Sequence, residues 1–201
     1  MEAIAVTAVH EAAHAVVGYI FGEKLIAVTI LGDSRGEVVP ECSWCDTCWE
    51  YYHGRNPQRH AHSRQIQDIY RRDAAVAIAG ELAECRFMGQ SELANPEEIE
   101  ADREKVRSRA SAIHLFVDAD CFTQGKWARN EPCGLCEAFV AALRQVVSTI
   151  LEEQRIWESI MVLAQELRLK QRMEAHEVSE VLAARNVLFG SRSVNQLPPA
   201  P

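Results

Sequence analysis

What restricts this chain most is the run His10-Glu11-Ala12-Ala13-His14, set between Val6 and Val9 on one side and Val16, Val17 and Ile20 on the other. The apolar spacing predicts a helix over residues 3 to 21, and on it the two imidazoles, four residues apart, project from one face a turn apart. That is the spacing with which two histidines grip one tetrahedral zinc ion. Glu11 is turned about 100° around the axis from His10, a poor place for a third ligand but within reach of a water at the metal. A chance occurrence of the pattern belongs in polar sequence. Two histidines and a carboxylate inside an apolar stripe are costly unless something pairs with them.

The 201 residues suffice for one good core, and 48% of them are hydrophobic. Twenty-nine acidic residues against twenty-one basic ones leave a net charge of −8, with no basic run, so nucleic acid is not expected as a partner. The apolar stretch from Ala12 to Phe21 is too short to span a bilayer and carries the motif, and Met1-Glu2 lacks the basic start of a signal peptide. The expectation is a cytoplasmic protein that does not engage a membrane. Seven cysteines, an odd and unevenly spaced set, argue against a secreted disulfide framework.

Beyond the first helix, Leu25 to Leu31 is short and rich in β-branched residues, and a Gly32–Gly36 turn leads to a returning strand, Glu37 to Val39, ended by Pro40. Helix is expected again from Ser63 to Met88, rich in alanine and suited to close helix contact. Asn95-Pro96-Glu97-Glu98 opens another, running to about Phe116. Further helices are expected over 135–153, 156–169 and 175–184, with a break near Glu153-Gln154-Arg155. The fold class is mainly α (α+β): a helical domain over 1–186, with a small β-hairpin beside the His-Glu-x-x-His helix and a Cys- and aromatic-rich insert at about 40–62. Residues 187–201, ending Leu-Pro-Pro-Ala-Pro, read as a flexible tail.

Zinc hydrolases usually take three protein ligands. Glu81, Glu84, Glu100, Asp102, His53, His60, His62 and His114 are all candidates, and spacing does not choose among them. Several stretches together, however, resemble the peptidase domain of the FtsH-type ATP-dependent zinc metalloproteases. Ala8-Val9-His10-Glu11-Ala12-Ala13-His14-Ala15-Val16-Val17-Gly18 is similar to that family's zinc helix, and Ala27-Val28-Thr29-Ile30 with its glycine turn to the family's edge hairpin. Ile78-Ala79-Gly80-Glu81-Leu82-Ala83-Glu84 is similar to its Gly-Gly-Arg-Ala-Ala-Glu helix. Ala101-Asp102-Arg103-Glu104-Lys105-Val106 falls where the family has Asn-Asp-Leu-x-x-Ala. Leu151-Glu152-Glu153-Gln154-Arg155 and Ala175-His176-Glu177-Val178 follow the same order, so the resemblance covers about residues 5 to 185. It implies zinc held by His10, His14 and Asp102, Glu11 as general base, and Glu84 beside the site as a support or fallback ligand. It further implies that the strand near 25–31 pairs with an extended substrate. The chain departs from the family in having Ala101 for the asparagine, no counterpart of segment 40–62, and no Gly-x-x-x-x-Gly-Lys-Ser/Thr phosphate loop.

The expected activity is therefore ATP-independent zinc endopeptidase action on unfolded or flexible polypeptide. A homo-oligomer and a separate ATPase partner stay open. The rival reading is a metal-stabilised interaction module without activity, against which Glu11 speaks, since a structural site has no use for a base. Cys42, Cys45, Cys133 and Cys136, two pairs at Cys-x-x-Cys spacing, form a candidate second metal site; buried thiols are the alternative. Cys85 and Cys121 read as core thiols.

Overall fold

The computed structural model describes residues 3–32, 35–40, 64–89, 96–117 and 134–199. Among the described residues six α-helices and three strands follow one another: α1 (Ala3–Ile20), β1 (Leu25–Ile30), β2 (Gly36–Pro40), α2 (Arg64–Met88), α3 (Pro96–Val117), α4 (Gly134–Glu152), α5 (Gln154–Lys170), β3 (Arg172–Glu174) and α6 (Ala175–Ala184). The mainly helical expectation holds, and each expected element is present within a few residues of its expected ends.

Because α1 is apolar over most of its circumference, and Thr7, His10, Glu11 and His14 are buried with the rest, it is a central helix. Ala8, Val9, Ala12, Ala13, Ala15, Val16, Val17 and Ile20 are all buried, with α2 and α5 packed against it and the sheet beside it. The small side chains of α2, Ala74, Ala77 and Ala83 among them, are buried in the same core. Helix α3 adds the stripe Ile99, Val106, Ala110 and Ile113. By length and composition α4 could cross a bilayer, which the sequence reading did not notice. Its stripe of Phe139, Leu143, Val147, Ile150 and Leu151 is instead buried in this core, and its Arg144 pairs with Glu81 of α2.

Two expectations are corrected. Strand β1 is not at an edge: the sheet order is β2-β1-β3, all antiparallel, with Val28 opposite Val38 on one side and Met173 on the other. The third strand escaped notice because it is only Arg-Met-Glu, entered from Gln171 in the left-handed region (φ 63°) that ends α5. Burial of Met173 holds it in place.

The second correction concerns the C-terminal stretch, which over residues 187–199 is not frayed. Val187 and Leu197 are buried, and the Arg71 guanidinium donates to the carbonyls of Leu197 and Pro198. Farther back, Gly190 and Arg192 donate their N–H groups to the carbonyls of Tyr19 and Ile20 at the end of α1, where Tyr19 also accepts from Gly22. Apolar anchors separated by polar residues gave too weak a periodic signal to separate this strap from a loose end.

Candidate metal centre

The site begins on α1, where the i,i+4 spacing brings His10 and His14 together, ring centroids 4.5 Å apart and nearly perpendicular. Both are buried, as is Glu11. Helix α2 supplies what orients them. The Nδ1–H of His10 donates to Glu84 Oε1 at 2.8 Å, and the Nδ1–H of His14 donates to the Val76 carbonyl at 2.7 Å. Gly80, on the same α2 face as Glu84, lies against the rings: a Cβ there would stand 2.5 Å from His10 Nε2 and 2.7 Å from His14 Cε1. Only glycine lets the helix come this close.

Helix α3 brings Asp102. The rhythm of its stripe, Ile99 to Val106, carries position 102 inward, three residues after one and four before the other. Asp102 Oδ2 lies 3.0 Å from both His10 Nε2 and His14 Nε2, and the two nitrogens are 2.8 Å apart.

The consequence is chemical. A carboxylate and a backbone carbonyl can only accept, so both Nδ1 atoms carry protons. In their neutral forms both histidines then turn bare Nε2 lone pairs toward a carboxylate oxygen. Three lone pairs converging in a buried place repel unless a positive charge stands among them. Three ligands at about 2.0–2.2 Å from a tetrahedral ion lie roughly 3.3–3.5 Å apart, a few tenths of an ångström wider than this triangle. Small side-chain rotations therefore admit a metal ion, and His10, His14 and Asp102 form a group able to hold one.

Without metal, a proton does the same work on His10. Burial alone would lower its pKa, but the hydrogen bonds to Asp102 and Glu84 and the charges of Glu11 and Asp102 outweigh it and push it up to about 10. Asp102 is held well below the usual carboxylate range: burial opposes this, and the two histidines overcome it.

Glu11 packs on the first residue of β2, where a Cβ on Gly36 would come within 2.2 Å of its Cγ. It lines a cleft of about 320 Å³ together with His10, His14, Asp102, the β2 residues Gly36, Glu37, Val38 and Pro40, and Lys105. Glu23 and Asp73 also line it, and the sequence reading missed both. Burial and the Asp73 charge raise the Glu23 carboxyl above its ordinary value. The signal for Asp73 was present: 73, 77, 80 and 84 fall on one face of α2, and Asp73 and Glu84 are charged positions on an otherwise small-residue stripe.

The other third-ligand candidates separate clearly. Glu81 faces away from the histidines to Arg103 and Arg144, and Glu100 is exposed and paired with Arg107. His53, His60, His62, Cys42, Cys45, Cys121 and Cys133 lie outside the described residues, and His114 is described only in its backbone. Of the candidate second metal site only Cys136 is described, half-buried against the core. Cys85 is half-buried, its thiol pKa raised by burial. No protein-family model matches the chain, and no curated protein matches it.

Proposed function

We propose that this protein is a zinc-dependent endopeptidase acting on unfolded or flexible polypeptide, of the FtsH-type peptidase class but working without ATP. The observation that carries the reading is the convergence of His10 Nε2, His14 Nε2 and Asp102 Oδ2 in one cleft with a buried glutamate, Glu11. Two nitrogens and a carboxylate oxygen suit zinc, and three protein ligands leave a fourth position, the pattern of catalytic rather than structural sites.

In this reading His10, His14 and Asp102 hold the ion. Glu84 and the Val76 carbonyl fix the imidazole tautomers and make the nitrogens better donors. Zinc, when bound, supplies a Lewis acid that acidifies a water and polarises a carbonyl. The Glu11 carboxylate accepts the proton as water attacks the scissile carbonyl and returns it to the leaving amine. Gly36 keeps β2 close against Glu11, which limits where that carboxylate can swing. The substrate strand is assigned to β2 rather than to β1: β2 ends the sheet among the described residues and forms a wall of the cleft, and an extended peptide adds to a sheet edge by main-chain hydrogen bonds.

The test is cleavage of an unfolded protein such as casein by the purified chain. Activity should vanish with a chelator, return with zinc, and be indifferent to ATP. A zinc-loaded protein that cleaves no unfolded substrate would turn the assignment to a metal-stabilised interaction module.

A further inference from the structure

Asp102 borders two cavities. One is the cleft just described. The other, of about 150 Å³, lies between α2, α3 and α4 and is lined besides by Glu81, Arg103, Val106, Arg107 and Arg144. We propose that this second pocket is a carboxylate-binding subsite of the peptidase, taking an acidic side chain or the free C-terminal carboxylate of the substrate. The inference rests on the peptidase reading and names part of its substrate.

Glu81 is the organising residue. Its side chain is only 6% exposed, and its two oxygens receive Arg103 (2.8 Å) and Arg144 (2.8 and 3.1 Å). Burial would raise its pKa, but the two guanidiniums hold it below the ordinary value, so it is charged. One carboxylate thus fixes two cations side by side that would otherwise repel. Each guanidinium has five N–H donors, and Glu81 cannot use them all. Arg103 and Arg144 remain 43% and 38% exposed, and both line the pocket.

The donors on the pocket wall support the choice of ligand. Arg103, Arg107 and Arg144 line the pocket with Glu81 and Asp102, and Arg107 is also paired with Glu100, so what the pocket offers is not a net charge but the guanidinium donors that Glu81 leaves over. Planar guanidiniums also match a carboxylate in geometry. A purely structural brace between α2, α3 and α4 would affect stability but confer no preference among substrates.

The experiment uses the zinc-loaded full chain and peptide pairs that differ only in Glu against Gln, placed in turn at each position around the cleaved bond. A second set ends in a free carboxylate or a carboxamide, which separates the two sources of the group. One set should show kcat/KM higher for the carboxylate member by roughly ten-fold or more, the scale of a hydrogen bond to a charged group. Arg144→Gln, which leaves Glu81 its Arg103 partner, should bring that ratio close to one, and Arg144→Lys should restore part of it. Equal rates in the wild type, or a preference that survives in Arg144→Gln, would overturn the proposal. If no peptide is cleaved, the peptidase reading fails separately, and calorimetric titration with glutarate decides the pocket. Weaker binding to Arg144→Gln than to wild type, at equal zinc content, supports it; equal binding refutes it.

Discussion

Glu11 and Asp102 are both carboxylates of one cleft, yet they should fail differently when changed. Glu11→Gln keeps the shape of the side chain and removes the proton acceptor. Cleavage should fall by about 10² to 10⁴, with zinc content and melting temperature near wild type. Asp102→Ala removes a candidate ligand, so metal analysis should show weakened zinc binding along with lost activity. Full activity in Glu11→Gln would place the chemistry elsewhere. Gly80→Ala makes a sharper test of the helix approach. In an ordinary helix interior the change is favourable by about 1 kcal/mol. Here the added methyl would press on both imidazoles, so zinc affinity should drop even though the helix itself gains. Of these residues, His10, Glu11 and His14 were legible in sequence because their spacing is local. Asp102 was one of eight candidates by spacing, and only the family resemblance singled it out before its place on the Ile99–Val106 stripe was seen. The glycine contacts were not legible, because a residue without a side chain reveals nothing of what approaches it from another helix.

At the scale of elements, long helices with a clear apolar rhythm could be read, whereas short pieces held by tertiary contact could not. Strand β3 has three residues and owes its pairing to β1 and to the buried Met173. The strap over residues 187–199 owes its place to two apolar anchors and to Arg71. That strap should contribute measurably to stability. Burying a Val or Leu side chain is worth about 1.5–3 kcal/mol, so losing Val187 and Leu197 should cost at least about 3 kcal/mol, and Arg71 would lose its two carbonyl acceptors besides. A chain ending at residue 186 should therefore unfold at distinctly lower urea than the full chain. Coincident urea midpoints would mean the strap is only laid on the surface.

For the whole molecule, the metal centre ties stability to pH. His10 is raised from an ordinary 6.5 to about 10 in the metal-free chain, so the folded state binds its proton more tightly than the unfolded state does. Its contribution is complete below about pH 6.5 and lost as pH rises to about 10, so the melting temperature of metal-free protein should decline across that window. Zinc replaces the proton, and its binding should strengthen as pH rises, so the zinc-loaded protein should not show that decline. A thermal melt series with and without zinc checks both. Parallel curves would show that no ion binds at His10. The separation of 92 positions from His10 to Asp102 also carries a consequence in time. At about 5–20 residues per second, the ribosome releases the histidine pair some 5–20 s before the aspartate that completes the triangle. Through that interval β1, β2 and α2 are made, but the oily helix still lacks Asp102 and the covering α5, so a nascent chain of this kind offers a chaperone a target and a stray soft metal a two-pronged trap. Loading with the right ion belongs to the moment α3 closes, not to the moment the motif is made.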